Sequence, residues 1–192
     1  MSPSDPMTVL RDSLRGAPII WKGDYPYFIH PISDGIPRMD ADVLRATCDL
    51  IVEMVDWSKI DLIVSVEAMG LPLLATVGAA TGKPTVVIRK RSYGMKGEVK
   101  VDVSTGYSQS TTYINDIKPG EIILIVDDVI STGGTLEPIL ETREGMGVVL
   151  QDIVVAIEKG EGRERLARER PNWPIRTRAR IDIIDGSVQI IE

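Results

Sequence analysis

The stretch Ile123–Leu140, ILIVDDVISTGGTLEPIL, decides the fold. An apolar run, Ile- and Val-rich without alternation, reads as a strand covered on both faces. It meets two adjacent carboxylates, Asp127 and Asp128. A short loop, Ser131–Thr135, then leads into a helix over about Gly134 to Glu144. The backbone N–H groups at such a helix start lack partners and carry the positive end of the helix dipole. Glycines let that backbone close around an anion. Ser131, Thr132 and Thr135 add hydroxyl donors beside Gly133 and Gly134, so the loop reads as a phosphate cradle. No Gly-Lys-Ser/Thr follows, which excludes the nucleoside-triphosphatase loop.

Two acids beside a phosphate repel it unless something lies between them. A ribose satisfies both, with its hydroxyls on Asp127 and Asp128 and its 5′-phosphate in the cradle. A divalent cation held by hard oxygen ligands would bridge sugar and a further phosphate. The plainer alternative is a strand end followed by a turn and a helix cap.

The same strand–helix–strand grammar extends outward. Strands are expected at Asp61–Val66, Thr85–Ile88, Glu121–Val126 and Val148–Ile157. A helix is expected at Leu71–Thr81, with Pro72 in its first turn and Gly82 at its end. This is an α/β chain with a central, mostly parallel sheet flanked by helices. Upstream, Thr8–Arg15 suits a short helix and IIWKGDYPYFI a small hairpin. Asp40 caps a helix over Ala41 to about Val55, on which Val43, Leu44, Leu50, Ile51 and Met54 share a face. Between Arg91 and Lys118 the pattern lapses into a long polar segment, from which EVKVDV and TTYIN suggest a protruding β-ribbon. Ligands of open parallel sheets bind beyond the carboxyl ends of strands. That rule selects Glu67–Gly70, Arg89–Arg91 and Asp127–Thr135.

A length of 192 residues bounds the chain to one domain. Its 22 basic residues against 28 acidic argue against a general nucleic-acid binder. The single Cys48 forms no internal disulfide and points to a reducing compartment, the cytoplasm. The start MSPSDPMTVL has neither a basic nor an apolar signal region. Leu62–Ala80 is apolar, but Glu67, Gly70 and Pro72 break it, so no membrane span is expected.

VDDVISTGGT resembles the signature of phosphoribosyltransferases that use 5-phosphoribosyl-1-pyrophosphate (PRPP). VEAMGLPLL, VIRKRSYG, INDIKPGEIILIVDD and EKGEGRERL resemble segments of the adenine enzymes of that family. YFIHPISDG, RKRSYG and STGYS resemble the archaeal purine enzymes described as acting on hypoxanthine and guanine. The resemblance implies the type I phosphoribosyltransferase fold, with a hood over about residues 18–38 and a mobile ribbon lid over about 92–112. It implies purine salvage: 5-phosphoribosyl passes from PRPP to hypoxanthine or guanine, releasing pyrophosphate. Adenine as substrate, or a regulator that binds PRPP without turnover, are the alternatives.

It also implies roles. Asp127 and Asp128 take the ribose hydroxyls, with Mg2+ nearby and held through PRPP. Ser131, Thr132, Gly133, Gly134 and Thr135 take the 5′-phosphate. Glu67, Ala68, Met69 and Gly70, with Arg89, Lys90 and Arg91, take pyrophosphate. Phe28 and Ile29 take the purine, and Ser104, Thr105, Gly106 and Tyr107 belong to the lid. Partners are the purine base, PRPP and a second copy in a homodimer. Departures stand out. Met69 replaces an arginine of the adenine enzymes, STGYS lacks their lid glutamate, and Ser131 stands where other hypoxanthine enzymes carry an aspartate. No general base is named. His30, the only histidine, reads as structural or as a base contact, and Met69 as core filler or as part of the loop.

Overall fold

A computed structural model describes residues 5–104 and 108–191. Its centre is a six-stranded sheet in the order β10-β9-β8-β7-β3-β4. The strands are β3 (Leu62–Val66), β4 (Thr85–Ile88), β7 (Ile122–Ile130), β8 (Val149–Lys159), β9 (Ile175–Ile184) and β10 (Ser187–Ile191). All neighbours run parallel except β10, an antiparallel edge on β9. Helix α3 (Leu71–Thr81) joins β3 to β4, α4 (Leu136–Gly145) joins β7 to β8, and α5 (Gly162–Glu169) joins β8 to β9. Two helices, α1 (Pro6–Leu14) and α2 (Ala41–Met54), precede the sheet. A hairpin of β1 (Ile19–Lys22) and β2 (Tyr25–Phe28) lies between them. A second hairpin, β5 (Val99–Ser104) with β6 (Gln109–Ile114), stands off the sheet where a ribbon was expected.

Local chemistry explains the boundaries. Asp40 caps α2 by accepting from the N–H groups of Asp42 and Val43. Asp5 does the same for α1 through Thr8 N, with Pro6 in the first turn. Gly82 ends α3 at φ 68°, a left-handed cap that glycine adopts without steric cost.

Both faces of the sheet are covered, so its central strands are apolar throughout. Leu124, Val126 and Val154 pack with Leu50, Ile51, Leu73 and Leu74 of α2 and α3. Ile123, Ile125, Ile153 and Val155 pack with Leu136, Ile139 and Leu140 of α4, Val101 and Val103 of β5, and Leu166 of α5. No helix of the described residues is long and apolar enough to cross a membrane.

Two readings need correction. The strand expected to stop at Val126 continues through both acids to Ile130. Its ladder with β8 goes on past them, pairing Val129 with Ile157 and Ile130 with Glu158. The acids therefore sit inside a paired strand. Helix α4 starts at Leu136, two residues later than expected, because Gly133 takes φ 79° and holds the chain in a loop. Beyond Ile157 no element was assigned, yet α5, β9 and β10 form there.

Candidate active site

The sheet order reverses between β3 and β7. From β3 the chain winds one way to β4; from β7 it winds the other way through β8 to β9. The loops leaving β3 and β7 therefore diverge and leave a crevice at their carboxyl ends. A cavity of about 240 Å³ opens there. It is lined by Glu67–Gly70, by Asp127 and Asp128, and by Ser131–Thr135. Lys90, Phe28 and Ser110 and Thr112 of the β6 ribbon complete it.

The acids dominate its electrostatics. Asp128 is buried and Asp127 half-buried, and Asp127 Oδ1 accepts from Asp128 N at 3.1 Å. Burial, and then the charge of Asp128, pushes the Asp127 carboxyl well above the usual range. Burial also raises Asp128, against an opposing pull from the Ser33 hydroxyl. Among the described residues no cation pairs with either acid. The pair is therefore short of positive charge.

Gly70 faces this pair at close range. A Cβ there would lie 2.5 Å from Asp127 Oδ1 and 2.1 Å from Ser65 Oγ. The preceding turn carries a cis Glu67–Ala68 peptide. Glu67 accepts from Lys90 N at 3.2 Å and forms an ion pair with Arg89 Nε at 2.9 Å, which ties the loop after β3 to the end of β4.

The loop after β7 is held in shape before any ligand arrives. No side chain caps α4; Glu137 N donates to Gly133 O at 2.9 Å and Pro138 carries no N–H, so the backbone donors nearest the cavity belong to the loop and to Leu136. Gly134 N donates to Thr132 Oγ1 at 3.3 Å. Ser104 N, at the end of β5, donates to Gly134 O at 3.1 Å. A Cβ on Gly134 would sit 1.9 Å from Ser104 O, so only glycine admits the ribbon this closely.

Other expected residues fall as follows. Met69 is 38% exposed and lines the cavity, so it is no core filler. Phe28 is buried in the core beneath the hairpin and also reaches the cavity. Ile29 is outside the lining; its N–H donates to Pro18 O at 2.8 Å. Arg89 and Arg91 are also outside it, and both guanidinium groups donate to the Tyr93 phenol, at 3.2 and 3.1 Å. Ser104 ends β5, whereas Thr105, Gly106 and Tyr107 lie outside the described residues. His30 is fully buried away from the cavity, with Nε2 at 2.9 Å from Ser13 Oγ. Burial lowers its pKa to about 4, so it is neutral and structural.

Sequence reasoning missed Tyr25 and Lys159, whereas Tyr27 opens the hood segment, Tyr27 to Ser33, expected to meet the purine. Tyr25 and Tyr27 line the cavity, and Tyr25 Oη donates to Ser131 Oγ at 2.9 Å. Lys159 Nζ lies 3.9 Å from the centre of the Tyr25 ring and donates to Pro26 O, anchoring β2 to the end of β8. Adjacent aromatics in the hairpin were the available signal. Lys159 gave none, since its partners are remote in sequence.

The described residues contain no cluster of three or more acids, histidines or cysteines suited to a metal. They offer two carboxylates without a cation, which suits a divalent ion that brings its remaining ligands with a substrate.

Comparison with known proteins agrees with this geometry. The family model described as Phosphoribosyl transferase domain matches residues 36–172. A Methanocaldococcus infernus protein named hypoxanthine/guanine phosphoribosyltransferase is 46% identical, covering 94% of this chain and 98% of that protein. The protein of the same name from Methanotorris igneus is 44% identical over 95% of this chain and 100% of its own. Among solved structures, the fold is similar to adenine phosphoribosyltransferase from Giardia lamblia, complexed with 9-deazaadenine (TM-score 0.75, 21% identity, 91% of this chain and 97% of that one). It is similar also to the Rhodothermus marinus enzyme (TM-score 0.74, 23% identity, 91% and 98%). The family model spans most of the chain and the relatives match nearly all of it, so the chain belongs to the phosphoribosyltransferase family.

Proposed function

We propose that this protein transfers 5-phosphoribosyl from PRPP to hypoxanthine or guanine, giving IMP or GMP and pyrophosphate. One observation supports the reading: two cavity acids, paired with no cation among the described residues, stand next to the Ser131–Thr135 loop at the start of a helix. Ribose hydroxyls donate to the two acids, and the 5′-phosphate takes N–H groups of the Ser131–Thr135 loop. As the bond from C1′ to pyrophosphate breaks, positive charge develops on the ribose, and the nearby carboxylates stabilise it. The bond from C1′ to a purine ring nitrogen forms in its place.

Glu67–Gly70 and Lys90 are the pyrophosphate side of the site, with Arg89 holding Glu67 in place. Asp127 and Asp128 would hold Mg2+ together with PRPP, and the ion would supply positive charge to the polyphosphate. The β1–β2 hairpin acts as the hood, Phe28 packing on the purine with Tyr25 and Tyr27 beside it. The β5–β6 ribbon acts as the lid and excludes water from the charged intermediate stage.

The choice of base rests on the relatives named for hypoxanthine and guanine, at 41–46% identity over nearly the whole chain. The adenine enzymes share the fold at 17–24% identity, which does not extend to the base. A homodimer is part of the proposal, and mass in solution tests it. Incubation with PRPP, Mg2+ and each of adenine, hypoxanthine, guanine and xanthine tests the rest. IMP and GMP formation, abolished by a chelator, supports the reading. No nucleotide from any base overturns it.

A further inference from the structure

Helix α5 contributes no residue to the lining of this cavity, yet it lies directly against the Ser131–Thr135 loop. A Cβ on Gly162, the first residue of α5, would fall 1.8 Å from Ser131 O, so helix and loop are in backbone contact. A Cβ on Gly133 would fall 2.7 Å from Leu166 Cδ1. Between these two contacts Arg165 reaches out of the helix. One of its terminal nitrogens donates to Thr132 O at 3.2 Å and to Glu137 Oε2 at 2.7 Å; the other donates to Glu169 Oε2 at 2.6 Å. Arg165 thus joins three elements: α5, the loop, and the first turn of α4.

Glu137 makes this arrangement consequential. An acid in the first turn stabilises α4 through the helix dipole. The same acid stands one turn from the loop that must attract a phosphate dianion. Its carboxylate is held by Arg165 and is only 24% exposed. The guanidinium both neutralises Glu137 and fixes the Thr132 carbonyl, which keeps the loop N–H groups turned towards the cavity. One terminal nitrogen carries two N–H groups and so makes both bonds at once.

We infer that Arg165 is a positioning residue for the 5′-phosphate loop, setting affinity for the phosphorylated ribose and leaving purine recognition untouched. The inference rests on the function proposed above. It predicts a selective effect: Arg165→Met raises the KM for PRPP about tenfold, the scale of one charge-assisted hydrogen bond. The KM for hypoxanthine and kcat at saturating PRPP stay within about twofold, since no group in contact with the reacting atoms is altered.

The test is a four-variant set: wild type, Arg165→Met, Glu137→Gln and the double variant. Binding of PRPP and of ribose 5-phosphate is followed by calorimetry, alongside steady-state kinetics and melting curves. The double variant is expected to bind PRPP more tightly than Arg165→Met alone, because the stranded carboxylate is gone. Arg165→Lys is expected to recover part of the affinity and serves if Arg165→Met folds poorly. An unchanged PRPP affinity in Arg165→Met overturns the inference. So does a double variant no better than the single one, or a loss spread equally over both substrates and kcat. Wild-type protein that binds neither PRPP nor ribose 5-phosphate overturns the functional reading itself, a separate outcome.

Discussion

Gly70→Ala tests how tightly the loop after β3 is fitted against the acid pair. The added methyl would start 2.5 Å from Asp127 Oδ1 and 2.1 Å from Ser65 Oγ, against ordinary contact distances of about 3.5 Å. Asp127 must therefore retreat by about 1 Å, or the loop must lift by as much, a shift that can cost about 100-fold in rate when it displaces a reacting group. Overpacking of this kind costs about 2 kcal/mol, or a fall in Tm of about 4–8 °C for a chain of this size. The two effects are separable. Ser65 is fully buried and its hydroxyl has no hydrogen-bond partner among the described residues, so Ser65→Ala removes the shorter clash at little cost. Gly70→Ala is expected to lower kcat/KM for PRPP about 100-fold in a nucleotide-formation assay. Gly70→Ala with Ser65→Ala is expected to regain most of the Tm but little of the activity, since the Asp127 contact remains. A Gly70→Ala enzyme with wild-type kcat/KM refutes the placement of Asp127 at the reaction centre.

Three further outcomes are expected. Asp127→Asn with Asp128→Asn abolishes turnover while keeping the fold, measured by activity and circular dichroism. Because the folded carboxyls titrate above their unfolded values, the ligand-free native state holds extra protons between the two. Stability thus falls as pH rises through that window, and the Asn pair removes the fall, as melting curves from acid to neutral pH will show. Tyr25→Phe deletes the donor to Ser131 Oγ while keeping the ring under Lys159, so it weakens PRPP binding by about 1 kcal/mol, roughly fivefold in Kd by calorimetry. The acid limb of stability carries the mark of His30. Ser13 Oγ donates to Leu10 O at 2.6 Å, so His30 Nε2–H donates to Ser13, and Nδ1 is left a buried acceptor without a partner among the described residues. With the folded pKa lowered from 6.5 to about 4, stability worth about 3 kcal/mol is lost as pH falls between those values. His30→Gln flattens that limb in urea titrations.

Helix α3, strand β4 and both hairpins were legible because their signals are local. Pro72 and Gly82 bracket α3, and the valines of β4 sit between turn residues. The acid pair misled because aspartate is rare in strands and reads as a terminator. Its place in β7 is set by a ladder to β8, a non-local fact. The run IRTRARIDII does alternate, with Ile175, Ala179 and Ile181 buried. Its arginines hid the strand, since each finds a partner far along the chain: Asp152, Leu50 O and Glu158. Helix α5 is eight residues of mostly charged sequence, and its worth lies in the loop it supports. The acids that line the cavity and the glycine-containing loop beside them were visible from residue type alone. The tyrosine that joins the hairpin to that loop was not, because 106 residues separate Tyr25 from Ser131.

The most direct measurement is a crystal structure of the protein soaked with IMP. The account predicts the phosphate within hydrogen-bond distance of the Ser131–Thr135 N–H groups, and both ribose hydroxyls on Asp127 and Asp128. A nucleotide seated elsewhere, or one with its phosphate on the Glu67–Gly70 side and its ribose clear of the acids, would contradict it.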